Sequence, residues 1–285
     1  MFYDVIDSKE PIYLKDHAID WNHNDFYHRL TEGDLSSTIV NFRISPNNLS
    51  RTIREYESIN IESSLYNFYQ WYNKQQLDIS NPFSSIPIDE DISVYGDYLR
   101  FKEIFSTDNI PKFGNWNNLF NRNINNFNEE NATLWIGTKG SHTPMHYDTY
   151  GKNVIIQIKG KKKWKLWKQN DNIPILRLPF EESSIYTEYD PKLNSSSSSS
   201  SLSLEPDYEF ILNEGDVLFV PKHVWHFVEI YESDIACSIN VYHHHHHHYN
   251  YYYYYYYYYD RYGYQKKMTI MINYQRHYHY LYSGH

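Results

Sequence analysis

From Ala132 to Val241 the chain is a series of short apolar runs separated by turns, and this pattern narrows the fold more than any other feature. The runs are "ATLWIG" (132–137), "NVIIQI" (153–158), "KKWKLWK" (162–168), "YEFIL" (208–212), "DVLFV" (216–220), "WHFVEI" (225–230) and "IACSINV" (235–241). Each has the length of a strand, and β-branched and aromatic residues recur in them. Gly160 and the triplet Glu214-Gly215-Asp216 provide tight turns. Short strands in this number predict a mainly β fold, a sandwich or a closed barrel.

The half before Ala132 is mixed and mostly helical in pattern. Ser63 can cap a helix in which Leu65, Phe68, Tyr69 and Tyr72 share one face. "DYLRFKEIF" (97–105) is a second short helical candidate, and Pro82, Pro87 and Pro111 punctuate the region. These helices are expected to pack outside the β core. Three homopolymer tracts interrupt the chain: serine at 195–201, histidine at 243–248 and tyrosine at 251–259. The serine tract reads as a flexible loop insertion, and the His/Tyr segment as a natural low-complexity tail. The expected organisation is a helical or mixed region over 1–131, integral to the same domain, a β core over 132–242, and a tail over 243–285.

A net charge of -9 disfavours general nucleic-acid binding. The single cysteine, Cys237, excludes a disulfide framework and any zinc finger built on cysteine ligands. The first residues, "MFYDVIDSKEPIYLKD", are too charged for a secretory signal, and no apolar run reaches the ~20 residues that span a bilayer. The expectation is a soluble protein with no membrane role, cytoplasmic and also compatible with the nucleus.

Within the β region, "SHTPMHYDTYG" (141–151) contains His146-x-Asp148. In a chain with 16 histidines such a triplet arises by chance, and a second one, His23-Asn24-Asp25, lies near the N-terminus. Context separates them. On a strand, residues i and i+2 share a face, so His146 and Asp148 can reach one ion. A candidate third ligand is His226, in "EGDVLFVPKHVWHFVEI" (214–230). Gly-Asp, four residues, Pro221, then His226 five positions on is similar to the second metal motif of cupin barrels, which makes the expected fold a cupin-like double-stranded β-helix, or jelly roll. Two histidines and one carboxylate on one face of an octahedron leave positions open, as in non-haem Fe(II) oxygenases.

Enzymes of that kind usually take 2-oxoglutarate as co-substrate together with O2, and its distal carboxylate needs a cation. Strand parity in "KGKKKWKLWK" (159–168) chooses among the lysines: Lys161, Lys163 and Lys165 share one face, while Lys162, Trp164 and Leu166 share the more apolar one. Lys162 is therefore the lysine directed at the core, where it needs an anion. Thr143 adds a hydroxyl nearby. On the last strand Ala236, Ser238 and Asn240 share a face that leaves room for a ligand.

"LWIGTKGSHTPMHYDTYGKNVIIQIKGKKKWKLW" and "GDVLFVPKHVWHFVE" resemble the two metal-bearing segments of the JmjC family of Fe(II)/2-oxoglutarate oxygenases. "AIDWNHNDFYHRL" and "PFEESSIYTEYD" also resemble its small-heat-shock-protein-associated branch, and the chain is similar to the family's asparaginyl hydroxylases as well. The resemblance implies His146, Asp148 and His226 as iron ligands, Thr143 and Lys162 at the distal carboxylate of 2-oxoglutarate, and Asn153 and Asn240 near its metal-bound end. It implies hydroxylation of a protein side chain, with lysine demethylation by the same chemistry as the alternative. A non-catalytic scaffold for a chaperone-type partner is the reading from a different class. The His/Tyr tail stands where the asparaginyl hydroxylases have a helical dimerisation segment, so their oligomeric state does not transfer.

Overall fold

A computed structural model describes residues 8–16, 22–47, 49, 51–53, 57–73, 78–88, 91–105, 132–149, 151–170, 172–178, 184–194, 204–243, 251–259 and 265–273. The serine tract, the Asn-rich stretch at 115–131 and histidines 244–248 lie outside the described residues. In chain order the elements are β1 (Ile12–Leu14), α1 (His23–Thr31), β2 (Ile39–Pro46), β3 (Ile59–Ser64), α2 (Leu65–Tyr72), β4 (Ile92–Arg100), α3 (Phe101–Ile104), β5 (Ala132–Thr138), β6 (His142–Asp148), β7 (Lys152–Lys159) and β8 (Lys162–Trp167). They continue with β9 (Ile175–Leu176), β10 (Ser184–Thr187), α4 (Pro191–Asn194), β11 (Tyr208–Leu212), β12 (Val217–Val220), β13 (Trp225–Ile230), β14 (Ile235–His243), β15 (Tyr251–Tyr259) and β16 (Gln265–Asn273).

The strands form an eight-stranded sheet in the order β1-β12-β7-β14-β5-β4-β2-β3 and a six-stranded sheet in the order β11-β8-β13-β6-β10-β9. All their pairings are antiparallel. β5, β7, β12 and β14 of the large sheet and β6, β8, β11 and β13 of the small one make the mainly β, cupin-like double-stranded β-helix expected from the strand pattern together with the Gly215-to-His226 motif. β15 and β16 pair with each other alone.

The central strands β5, β7, β12 and β14 of the large sheet are buried on both faces, which is why they read as nearly continuous apolar runs. On one face Val154, Ile156, Val217, Phe219, Cys237 and Ile239 join a core with Phe26 and Leu30 of α1 and Leu65, Phe68 and Trp71 of α2. The alternate residues Ile155, Leu218 and Val220 turn inward, to Trp164, Leu166 and Val228 of the small sheet. The small sheet's outer face is covered separately: Met145, Trp167, Trp225 and Phe227 pack with Ile173 and Ile185. His146 and His226 lie between these outward residues on β6 and β13, so alternation sends them inward.

The N-terminal half departs from expectation in three places. It supplies β1 to β4 to the large sheet as well as packing helices outside it. "DYLR" ends β4, and only Phe101–Ile104 is helical: backbone pairing with β5 overrides a local pattern that suits either state. Ser64, not Ser63, caps α2 by accepting a bond from the Asn67 amide at 3.0 Å. The chain stays extended in β3 through Ser64, so the helix starts one residue later, and Trp71 joins Leu65 and Phe68 on the buried face.

Candidate metal centre and its cavity

β6 runs between β13 and β10. His226 on β13 lies opposite His146, yet Val228 lies opposite Thr143, so β6 spends one residue more than its partner over this interval. The resulting bulge falls at Pro144 and Met145; proline, which donates no ladder bond, is tolerated at such a place. The extra residue lets Thr143 and His146, which strict alternation would place on opposite faces, line one cavity.

One ligand atom each from His146, Asp148 and His226 lies within 4.8 Å of the other two. All three residues are buried. The imidazole of His146 is 3.8 Å (Nε2) from Asp148 Oδ1, and the two imidazoles are 4.2 Å apart at their centroids. His146 Nδ1 lies 2.7 Å from the Pro144 carbonyl, and His226 Nδ1 lies 2.9 Å from that of Val224. A carbonyl only accepts, so each Nδ1 carries the proton and donates it. Each Nε2 therefore presents a lone pair to the centre, the tautomer that a metal ion needs. Burial, and for His146 also the neighbouring His226, pushes both imidazoles down to about 4, so both are neutral at physiological pH. Tyr186 stacks on His146 and Trp164 on His226, with centroids 5.4 Å and 5.7 Å apart. Asn153 donates from Nδ2 to Asp148 Oδ2 at 3.3 Å, holding the carboxylate from behind.

The second His-x-Asp triplet is no such site. His23 opens α1, where residues two apart point to different faces. The Asp25 amide is instead engaged in capping, bonded to Asn22 Oδ1 at 3.0 Å.

A cavity opens beside the triad. Thr143, Asn153, Lys162 and Asn240 all line it, together with Trp135, Trp164 and Ser238. Lys162 is 1 % exposed, which singles it out from the other lysines of its run. Its ammonium donates to Ser238 Oγ at 2.8 Å and to the Trp135 carbonyl at 3.3 Å. Burial pushes it down to about 7. The outward-facing Lys163 and Lys161 instead meet Glu209 and Glu232 across 3.7 Å and 4.0 Å. Asn153 Oδ1, Asn240 Oδ1, Trp164 Nε1 and Trp135 Nε1 are buried at the cavity without a hydrogen-bond partner among the described residues. Such groups are costly unless a ligand completes them. The Lys162 ammonium, the Thr143 hydroxyl and the two indole N–H groups thus fit an anionic ligand beside a metal ion.

Sequence reasoning missed Tyr95 and Tyr98 on β4, Tyr186 on β10 and Tyr242 on β14. Alternation within "ISVYGDYLR" was the available signal for Tyr95, but the helical reading of the next residues obscured it. Tyr98 has φ +53 beside a register shift in β4, an irregularity with no sequence signature. Ser238, noted only as a small residue, is the acceptor for Lys162.

A buried cluster of two histidines and one carboxylate, between the sheets of a double-stranded β-helix, defines a cupin-type protein with a candidate metal centre. The profile of the cupin-like domain matches residues 5–249, and the chain belongs to this cupin-like (JmjC) family. HSPB1-associated protein 1 of Homo sapiens is 30% identical over 246 residues, covering 83% of this chain and 48% of that protein. JmjC domain-containing protein D of Dictyostelium discoideum is 38% identical over 112 residues, 36% of this chain and 24% of its own. Lysine-specific demethylase JMJ30 of Arabidopsis thaliana is 26% identical over 113 residues, 38% of this chain and 25% of its own. The chain spans about half the length of the HSPB1-associated proteins it matches. No helix among the described residues is long and apolar enough to cross a membrane.

Proposed function

We propose that the chain is an Fe(II)- and 2-oxoglutarate-dependent dioxygenase that hydroxylates a protein side chain. The observation that carries this reading is the convergence of His146, Asp148 and His226 at a cavity that also holds the buried ammonium of Lys162. Two neutral imidazoles and a carboxylate suit iron(II) and leave positions open. Lys162 and the Thr143 hydroxyl would hold the distal carboxylate of 2-oxoglutarate, and Asn153 and Asn240 would meet its metal-bound end. Once bound, iron with 2-oxoglutarate and O2 supplies the oxidising chemistry for a C–H bond. The protein's share is orientation and exclusion of water: carbonyls two residues back fix both imidazoles, and Tyr186 and Trp164 cover them. The chemistry calls for no general base from the protein.

The name of the Arabidopsis relative supports lysine demethylation as the second reading. The name of the human relative supports a chaperone-type partner, with or without catalysis. The proposed setting is cytoplasmic, and nuclear if the substrate is a chromatin protein. Purified protein with Fe(II), 2-oxoglutarate and oxygen should release succinate, and His146→Ala should not. Mass spectrometry of treated cell extract should then show peptides that gain one oxygen; formaldehyde with loss of a methyl group would favour demethylation. Near-zero turnover in the unaltered protein, with no iron bound, would leave the scaffold reading.

A further inference from the structure

Thr143 and His146 reach the cavity from either side of a bulge in β6, and Tyr95 and Tyr98 do the same in β4. Gly96 lies opposite Ile136 and Leu99 opposite Leu134, so Asp97 and Tyr98 together face the single residue Trp135. Without the extra residue Leu99 would share the face of Tyr95. Instead Leu99 turns out to the core under the helices, with Phe42 and Phe68, and Tyr98 turns in. Its φ of +53 lies in the left-handed region that bulky L residues avoid. Backbone held there against its preference is concentrated at functional sites, and bulges re-aim side chains beside them.

The bulge places a bar between the two sheets. The Tyr98 ring packs on Trp135 of β5, centroids 4.5 Å apart and tilted by 56°. Its hydroxyl lies 3.4 Å from that of Tyr186 on β10, in the small sheet. Tyr186 stands opposite His146 in register and stacks on its imidazole. Exposure fixes where this bar sits. Among the described residues that line the cavity, all are buried except Tyr98 and Tyr242, which are half-buried. Solvent therefore meets the cavity at these two rings, and His146 and His226 lie on the buried side.

We propose that Tyr98 is a specificity-determining residue: at the mouth of the cavity, held by Tyr186, its ring limits the width of whatever reaches the metal, admitting a compact side chain and excluding a bulky aromatic one. This role rests on the triad being a metal centre and deepens the dioxygenase reading, since the target C–H bond must come up to the metal past Tyr98 and Tyr242. The ring sets the width, and the packing on Trp135 and the hydroxyl contact with Tyr186 keep it in place. An O···O separation of 3.4 Å is longer than a good hydrogen bond, so the hydroxyl contact is the weaker of the two restraints.

The test uses the full chain loaded with Co(II), whose visible absorption reports ligands entering its open positions. Azide, imidazole and 4-phenylimidazole each bind a metal through one nitrogen and differ in width. In the unaltered protein azide and imidazole should titrate the spectrum, and 4-phenylimidazole should bind more weakly than imidazole. In Tyr98→Gly the ratio of 4-phenylimidazole to imidazole affinity should rise by about tenfold or more, the low end of what a snug pocket discriminates, with azide affinity and the starting spectrum unchanged. Tyr98→Asn, whose side chain tolerates this backbone region, should behave alike and decides the matter if the glycine variant does not fold. Tyr98→Phe and Tyr186→Phe, which lose only the hydroxyl contact, should move the ratio the same way by less. An unchanged ratio in the folded Tyr98→Gly or Tyr98→Asn protein would overturn the proposal. Equal tightening of all three probes would overturn it too, because that marks a loosened site and not a widened entrance. Failure of the unaltered protein to bind Co(II) would overturn the metal-centre reading and the role of Tyr98 together, whereas Co(II) binding with an unchanged ratio would overturn the role of Tyr98 alone.

Discussion

Thr143 and His146 line the same cavity although they stand three positions apart on one strand, because β6 bulges at Pro144 and Met145. The bulge also sets the imidazole: the Pro144 carbonyl accepts the Nδ1 proton of His146. One irregularity thus aims both a proposed metal ligand and a proposed co-substrate hydroxyl.

Removing a ligand should abolish high-affinity metal binding. His226→Ala or Asp148→Ala should weaken Co(II) or Fe(II) binding by more than about 100-fold, beyond the range for supporting residues. Asn153→Ala, which loses only the bond behind Asp148, should cost about 10-fold. Isothermal titration at fixed pH measures both; equal affinities in all variants would rule out the triad as the site.

Lys162→Met should abolish binding of N-oxalylglycine while leaving the fold intact or more stable, since it removes a buried charge. The pH dependence has a definite sign. Unfolded lysine keeps its proton to its ordinary value of 10.5, whereas folded Lys162 releases it at about 7. Between those values the unfolded state binds more protons, so this residue makes stability rise with pH. The stability difference between the unaltered protein and Lys162→Met should therefore shift in favour of the unaltered protein from about pH 7 to about pH 9 in urea denaturation.

His142 should be an acid-sensitive fastening outside the metal triad. Its Nε2 accepts the Ile53 amide at 3.0 Å, so its proton sits on Nδ1, 2.9 Å from the Gly140 carbonyl. Burial, with Lys192 close by, pushes the imidazole down to about 3. Its contribution is present above the unfolded value of 6.5 and is lost as pH falls towards about 3. His142→Asn should be less stable at neutral pH and lose less between about pH 7 and about pH 4. Parallel stability curves for the two proteins would contradict this.

Gly137→Ala should be destabilising by about 1–3 kcal/mol, the usual range for overpacking. The new methyl would meet Tyr95 Cδ2 at 2.6 Å, the Val94 carbonyl at 2.8 Å and Ser141 Oγ at 2.9 Å. Because Tyr95 and Lys162 share a cavity, N-oxalylglycine affinity should fall along with the melting temperature. A variant with unchanged stability and affinity would show that the ring yields freely.

Much of the site was legible because alternation along a strand is a local property. It separates Lys162, Trp164 and Leu166 from Lys161, Lys163 and Lys165 without knowledge of any partner strand, and the observed burial follows that division. It likewise puts His146 and Asp148 on one face. The short strands, their turns and the apolar face of α2 are local in the same sense.

What tertiary structure alone decided concerns groups that meet across strands. "DYLRFKEIF" carries apolar residues that suit a helix or a strand, and pairing with β5 made its first part strand, bringing Tyr98 to the cavity and Asp97 against Arg43. The bulge in β6 exists only relative to β13. Arg43 and Asp97, which pair at 2.8 Å, come from β2 and β4, and nothing in their local sequence links them. Side-chain periodicity is set by the covalent backbone and can be read residue by residue, whereas register and the pairing of buried charges depend on which strands pack together.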